Sequence, residues 1–358
     1  MDNLYAFAIW GSVLLGAVVL VLSAYALVTR RLSDNRQTRA ARLRPRMAAA
    51  VEAYLAGQAL IDEAHRELDA DPALAAGVLL GIASVHDRGD QLRLHPLARR
   101  LLIEPRALRE LGRRNPALRA RAAVKLGYLG SEAAVPALLE ALQDDQLDVR
   151  LAAAQALVQM RHVPAIVPVL HALAMPGRWP LQRATELLLG FGDDAVEPLR
   201  RVLAAREEVP PPAAVSVALN VLGMLGARRA APEVLGWLEH AEPEIRVAAA
   251  RALGGMAERG TSPALVRMLR DEEWEVRSMA AKALGQLREP GVVQALEGAL
   301  ADPAWWVRFN AAQSLAELGA NGMDALRRVM STGEDAFARD ISRQLLEERN
   351  PRAQEAAT

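Results

Sequence analysis

The chain has 358 residues, with 43 basic and 43 acidic side chains and therefore no formal net charge. Balanced charge gives no general electrostatic attraction to nucleic acid. The absence of cysteine excludes disulfides, thiolate nucleophiles and cysteine-bound metal centres. Apolar residues make up 52% of the chain but aromatic residues only 4%, and much of the apolar share is alanine and leucine. Because both residues favour helices, the composition predicts an all-α protein.

The first thirty residues predict a transmembrane helix. Residues 4–28 carry no charge and are almost wholly apolar, which is enough to cross a hydrocarbon core of about 30 Å. A cleaved signal peptide is the alternative, because residues 24–26 have an A-x-A pattern. However, no basic residue precedes the apolar run, and the run is longer than that of a usual signal peptide. We therefore expect a retained signal anchor over residues 1–30.

Seven arginines at the end of the apolar run predict its orientation. Only one acid, Asp34, lies among them, so the positive-inside rule places the N-terminus outside and the rest of the chain in the cytoplasm. The expected location is thus the inner (cytoplasmic) membrane, crossed once. The same arginines should attract anionic lipid headgroups, at about 1 kcal/mol for each charge near the surface. They are Arg30, Arg31, Arg36, Arg39, Arg42, Arg44 and Arg46.

An internal repeat of 31 residues occupies most of the remaining chain. Each unit has the apolar spacing of one helix (helix A), often a glycine after it, and then a second helix (helix B) that opens with proline. One such pair cannot bury its own apolar face, so successive pairs must stack. One position of the repeat, the residue before a repeated arginine, recurs at intervals of 31 residues, and only the interval from Pro180 to Ala214 is 34. This position is occupied by Leu118, Val149, Pro180, Ala214, Ile245, Val276 and Val307.

The repeated motif, D-x-x-x-x-V-R-x-x-A-A-x-A-L-x-x-L followed by P-A-L-x-x-L, resembles the HEAT repeat in its short bacterial, phycobilin-lyase form. Residues 271–287 match it position by position, and the resemblance covers about residues 115–345. We therefore expect a right-handed α-solenoid of about seven two-helix HEAT-like repeats. The units at Pro180 and Ala214 lack the Val-Arg pair, and an insertion at residues 210–212 predicts a bend near them.

The resulting domain prediction has five segments. Residues 47–114 are helical by pattern but do not fit the repeat, with helices expected over residues 47–68, 72–86 and 96–111. The five segments are a transmembrane helix (1–30), a basic juxtamembrane linker (31–46), a helical N-terminal cap (47–114), the HEAT-like repeats (115–332), and a degenerate C-terminal cap repeat with a polar tail (333–358).

No sequence motif for catalysis, a cofactor or a metal is present. P-loop, G-x-S-x-G, H-E-x-x-H and dinucleotide patterns are missing, and the six histidines are scattered. His240-Ala241-Glu242 matches half of a deaminase zinc motif, but without cysteine a helix–helix turn is the better interpretation. The family includes bilin-attaching enzymes and DNA glycosylases, yet the repeat motif has no position onto which their active residues can be transferred. We therefore predict neither enzyme activity nor a cofactor.

Two repeated features are candidates for specific contacts. The repeated arginine is expected to pair with turn acids and carbonyls of the neighbouring unit rather than to form a basic binding ladder. Trp274 and Trp305 share one repeat offset, Trp306 follows, and Phe309 lies one helical turn beyond Trp305. These positions lie off the buried face, so they predict either a partner-binding hot spot or local packing. The arginines are Arg119, Arg150, Arg246, Arg277, Arg308 and Arg339.

These features favour a membrane-anchored, non-catalytic scaffold that binds a protein partner. An accessory subunit of a membrane complex fits this layout, and glycosyltransferase or polysaccharide-export machinery is one host that it suggests. An enzyme of the lyase or base-excising type is the first alternative. The second is a nucleic-acid-binding solenoid that uses nine arginines within residues 93–121, but the tether argues against nucleic acid and none is expected.

Overall fold

The computed structural model describes residues 37–173, 181–205 and 210–348, together with Tyr25, Arg30 and Arg31. The secondary structure of these residues is entirely helical. They form two compact units. The first contains the described residues up to Arg113 together with Lys125–Ala134, and the second contains Arg114–Val124 and the described residues from Val135 onward.

The first unit contains a helix over residues 37–55 and four that follow it. The helix over residues 37–55 buries Met47 and Val51 in the same hydrophobic core as Leu79 and Leu94. Residues 37–46, expected as a linker, are therefore helical; Leu43 packs on the same core one turn before Met47. The five helices are α1 (residues 37–55), α2 (Ile61–Leu68), α3 (Pro72–Ala83), α4 (Arg88–Arg100) and α5 (Ile103–Leu111).

Two of the helices expected in this unit are each divided. The expected helix over residues 47–68 breaks between α1 and α2, where Gly57 has a φ of 73°. The expected helix over residues 96–111 is also wrong, because Leu102 lies in the left-handed region at a φ of 53° and separates α4 from α5. Pro96 lies inside α4, which begins earlier because the Asp87 carboxylate accepts a hydrogen bond from the Asp90 N–H.

The second unit consists of alternating A and B helices, as the repeat predicted, except that the first A helix belongs to the first unit from Lys125 onward. Among the A helices, α12, α14, α16 and α18 pack successively against one another. The A helices are α6 (Pro116–Leu129), α8 (Leu147–Gln159), α10 (Leu181–Leu189), α12 (Pro212–Met224), α14 (Pro243–Met256), α16 (Trp274–Leu287), α18 (Trp305–Glu317) and α20 (Ala336–Glu348). The B helices are α7 (Val135–Ala141), α9 (Ile166–Leu173), α11 (Val196–Ala204), α13 (Ala231–Leu235), α15 (Ser262–Met268), α17 (Val293–Ala299) and α19 (Ala320–Thr332).

Small residues let neighbouring A helices approach closely. A Cβ placed on Gly223 of α12 would lie 2.6 Å from the Ala252 Cα of α14. The same contact recurs one repeat later, where a Cβ on Gly254 would lie 2.9 Å from the Ala283 Cα. Because real side-chain carbons do not approach backbone atoms so closely, the stacking distance of these helices depends on glycine.

The predicted transmembrane segment, residues 4–28, lies outside the described residues except for Tyr25. Arg36, Pro180 and the polar tail from Asn350 also lie outside them. None of the helices in the described ranges is both long and apolar enough to span a bilayer.

Candidate protein-interaction surface

In three repeats, the repeated arginine connects its own A helix to the turn before the next A helix. In α14, Arg246 donates its Nε and Nη2 groups to the two carboxylate oxygens of Asp271, at 2.9 and 2.8 Å. Its Nη1 group donates to the carbonyls of His240 and Ala241, at 3.0 and 3.1 Å. The guanidinium therefore joins the turn before its own helix to the turn before the next A helix. Equivalent pairs join Arg119 to Asp144 and Arg277 to Asp302.

The acid of each pair also accepts a hydrogen bond from the backbone at the start of the next A helix. Asp271 accepts a hydrogen bond from the Glu273 N–H at 3.0 Å, and Asp302 accepts one from the Ala304 N–H at 2.8 Å. The hydrogen bond to Asp302 raises the pKa of Arg277 above its ordinary value despite opposing desolvation. The predicted structural role of these three arginines is thus confirmed.

The arginine contact changes at the end of the second unit. Arg308 donates Nη1 to the carbonyls of Asp302 and Pro303, at 2.8 and 3.0 Å, as the other arginines do within their own turns. Position 333, where the next acid would stand, is glycine. The Arg308 guanidinium instead lies over the Phe337 ring, 4.8 Å from its centroid. A cation–π contact therefore takes the place of the ion pair.

Three of the four aromatic residues selected from the sequence contact one another. The Trp305 and Phe309 rings stack at 4.9 Å with an interplanar angle of 15°, and Trp306 meets Trp305 edge-on at 4.7 Å. Trp305 is 46% exposed and Trp306 is 52% exposed, while Phe309 is half-buried. Trp274, one repeat earlier at the start of α16, is 40% exposed. Local packing thus fixes the Trp305 and Trp306 rings and leaves much of their surface open to solvent.

A fifth aromatic residue extends this row into the last A helix. Phe337 lies one period of 31 residues after Trp306 and is 64% exposed. The sequence interpretation missed it because the last unit is degenerate, although stepping one period beyond Trp306 would have found it. We call Trp274, Trp305, Trp306, Phe309 and Phe337 the aromatic ridge; they lie in the first two turns of α16, α18 and α20.

Polar contacts beneath the ridge hold α16 and α18 together. The Asn310 side-chain amide of α18 donates to the Ser278 hydroxyl of α16 at 2.7 Å. That hydroxyl in turn donates to the Trp306 carbonyl at 3.3 Å. Because these bonds cross between two repeats, they fix the starts of neighbouring A helices relative to each other. The ridge is therefore a preorganised surface, which lowers the entropic cost of binding.

Of the seven arginines predicted to face the membrane surface, six lie within the described residues, and four of these are on α1. Arg42, Arg44 and Arg46 are exposed, as are Arg30 and Arg31. A further member of the group, Arg39, donates Nη2 to the Ala70 carbonyl at 2.9 Å.

Three of the nine arginines within residues 93–121 are paired with acids. Arg119 is bound to Asp144, Arg100 pairs with Asp62, and Arg93 lies 3.5 Å from Asp90. The hydrogen bond from Arg100 is also the largest cause of the lowered pKa of Asp62.

Polar side chains also meet inside the first unit. Glu104 is buried, accepts a hydrogen bond from the Ser131 hydroxyl and lies 3.3 Å from His95 Nε2. The hydroxyl donates to the carboxylate rather than to the imidazole, so these residues do not form a nucleophile–base pair. Grooves in the second unit lie between neighbouring B helices, one of them lined by Arg270, Gln294 and Asp302. Within the described ranges, no cluster of side chains suited to a metal ion is found.

Comparison with known proteins finds one family. The family described as HEAT repeats matches residues 104–190, 199–273, 231–316 and 262–347. These segments together cover more than half of the chain, and the first begins within the predicted N-terminal cap. No curated protein sequence matches.

Several solved structures are similar to the chain. The complex of CpcE and CpcF of phycocyanin lyase from Nostoc sp. PCC7120 is 22% identical, with 68% of this chain and 94% of that chain covered and a TM-score of 0.31. Human deoxyhypusine hydroxylase is 19% identical, with coverages of 77% and 96% and a TM-score of 0.31. Importin beta is 14% identical, with 84% of this chain and 48% of that chain covered and a TM-score of 0.47.

Proposed function

Because this chain belongs to the family of HEAT-repeat proteins, we propose that it is a membrane-anchored, non-catalytic scaffold that binds a protein partner through the aromatic ridge. The observation that carries the proposal is the exposure of Trp305 and Trp306 on a surface fixed by Phe309 and by the Ser278–Asn310 hydrogen bond. Large aromatic side chains on a rigid surface provide contact area at low entropic cost and are enriched in binding hot spots.

The membrane part of the proposal rests on residues 4–28 and on the arginines that follow them. The apolar run would anchor the chain once, with the N-terminus outside and the repeats in the cytoplasm. Exposed Arg42, Arg44 and Arg46 on α1 would add attraction to anionic headgroups. The host complex that we propose is membrane machinery of the glycosyltransferase or polysaccharide-export kind, in which the chain would be an accessory subunit.

Co-purification tests the binding surface. The tagged full chain should capture a partner from its native membrane, and the double variant W305A/W306A should lose at least nine-tenths of it. Since these side chains are exposed, the variant should remain folded and membrane-bound. The matched control is V85A/M224A, which removes two side chains that are 80% and 68% exposed and lie off the ridge. Equal capture by the ridge variant and the control would refute the proposal.

Membrane extraction and protease protection test the anchor. The full chain should remain in the membrane after alkaline extraction, and a C-terminal tag should be digested only when protease reaches the cytoplasmic side. Deletion of residues 4–28 should release the chain. Release of the intact chain by alkali would contradict this part of the proposal. So would a tag that stays undigested when the protease has access to the cytoplasmic side.

A further inference from the structure

The ridge begins beside an acidic surface. The A helices α14 and α16 start one repeat apart, and four glutamates lie within a turn of these two starts. Glu242 is the N-cap of α14, Glu244 and Glu275 lie in the first turns of α14 and α16, and Glu272 lies in the turn before α16. All four are exposed. We call these four residues the acidic patch; Trp274, the first residue of α16, lies among them.

The charge of the acidic patch is largely uncompensated. Arg246 and Arg277 are the cations in the first turns of α14 and α16, and each is bound to its own aspartate, Asp271 or Asp302. Glu272 lies 3.8 Å from Arg246, a guanidinium already bound by Asp271. Within the described residues, no ion pair joins the other three glutamates to a cation. An excess of negative charge therefore remains at the end of the ridge that Trp274 occupies.

The aromatic side of the surface already binds a guanidinium within this chain. Arg308 lies over the Phe337 ring at 4.8 Å, at the opposite end of the ridge from Trp274. Indole rings attract cations more strongly than phenyl rings, and Trp305 and Trp306 have exposed ring surface. A row of exposed indoles beside uncompensated carboxylates is complementary to arginine or lysine side chains and repels phosphate backbones.

We propose that the partner segment bound by this surface is an extended, arginine- or lysine-rich peptide stretch of another protein, a deduction that rests on the proposed function. Its cations pair with the acidic patch and stack on Trp274, Trp305 and Trp306. Neighbouring packed helices are about 8–10 Å apart, and a segment in the polyproline II conformation advances about 3.1 Å per residue with three residues per turn. Basic residues at every third position of such a segment share one face, about 9 Å apart, and therefore reach successive helix starts.

Peptide binding to the full chain in neutral phosphatidylcholine nanodiscs tests this inference. A labelled peptide of four Arg-Gly-Ser repeats should bind, as read by fluorescence anisotropy, and its affinity should fall steeply with salt. A peptide of four Glu-Gly-Ser repeats should not bind. A peptide with the same composition but its four arginines in one block should bind at least threefold more weakly. Absence of binding by the regularly spaced arginine peptide would overturn the proposal.

Charge-removing variants localise the binding. E242Q/E244Q/E275Q should weaken it at least tenfold, and W305A/W306A should do the same. The control E140Q/E317Q/E347Q removes three charges that are also exposed but lie elsewhere, and should change the affinity less than twofold. Equal losses in the acidic-patch variant and this control would mean non-specific attraction and overturn the inference.

Two further outcomes separate this inference from the proposed function. If native partner capture requires the ridge tryptophans but is unaffected by E242Q/E244Q/E275Q, the scaffold role stands and the basic-segment inference fails. If the chain self-associates, and a peptide of residues 30–46 competes with that association, the occupant is the arginine-rich segment of a second copy. That result would overturn binding of a separate partner protein.

Discussion

Arg277 donates two hydrogen bonds to the Asp302 carboxylate across the boundary between two repeats, from Nε at 2.7 Å and from Nη2 at 3.0 Å. The two residues are 25 positions apart, which is the distance from the first turn of one A helix to the turn before the next. Their side chains are 13% and 10% exposed. A bidentate charge pair with so little solvent contact has a fixed geometry, so it sets the register between successive repeats.

Replacing Asp302 with asparagine should therefore destabilise the second unit. The amide oxygen can still accept the hydrogen bond from the Ala304 N–H, but the charge opposite Arg277 is lost and the guanidinium stays largely buried. We expect the free energy of unfolding to fall by about 2–3 kcal/mol, because one partner of a largely buried pair is left uncompensated. Urea denaturation followed by circular dichroism measures the change.

The control for this variant is D324N. Asp324 pairs with Arg327 at 2.7 Å, but the two side chains are 65% and 60% exposed. Exposed pairs contribute little, so the loss should be below about 0.5 kcal/mol. Equal effects of D302N and D324N would show that the inter-repeat pair has no special role in stability.

The periodic part of the fold could be predicted from the sequence for a physical reason. A stacked repeat buries the same face in each unit, so the apolar spacing recurs in each copy, for example at Val276 and Val307. The contacts between the repeated arginines and the turn acids could be predicted for the same reason. Glycines expected at helix ends also have positive φ, including Gly130 at 62° and Gly226 at 63°.

The structure differs from the sequence prediction where a backbone conformation has no local signal in the sequence. Leu102, Ala257 and Arg288 adopt left-handed backbone at helix boundaries that glycine would normally mark, with φ values of 53°, 49° and 52°. None of the three is a glycine, so the sequence pattern predicted no break at Leu102. The exposure of the ridge tryptophans likewise depends on how neighbouring helices stack, and the sequence therefore left hot spot and packing as equal alternatives.

Substitution G223A should destabilise the stack even though alanine is the better helix former. The added methyl carbon would lie 2.6 Å from the Ala252 Cα and 3.1 Å from its Cβ. Since backbone cannot move aside as a side chain can, α12 and α14 must separate, and we expect a net loss of about 1–3 kcal/mol in unfolding free energy. Thermal and urea denaturation should both report the loss.

Gly298 offers the matched control, because it lies within α17 and a Cβ there would meet nothing within 4 Å. G298A should gain up to about 1 kcal/mol from helix propensity. If G223A were as stabilising as G298A, the close approach of α12 and α14 would not be a determinant of the stacking.

The first unit should become less stable as the pH rises through the neutral range. His86 Nδ1 lies 3.0 Å from Asp90 and its Nε2 lies 3.3 Å from Glu52, so the ring links α1 to α4. The hydrogen bond to Asp90 is the largest cause that raises the pKa of His86 above 6.5, and the bond to Glu52 adds to it while desolvation opposes both. A raised folded-state pKa means that the stabilisation is fully present below the unfolded value and is lost as the pH passes the folded value. The urea midpoint of the wild-type chain should therefore fall between pH 5.5 and 8.5 by more than that of H86Q. Parallel pH profiles for the two proteins would show that this histidine bridge does not contribute.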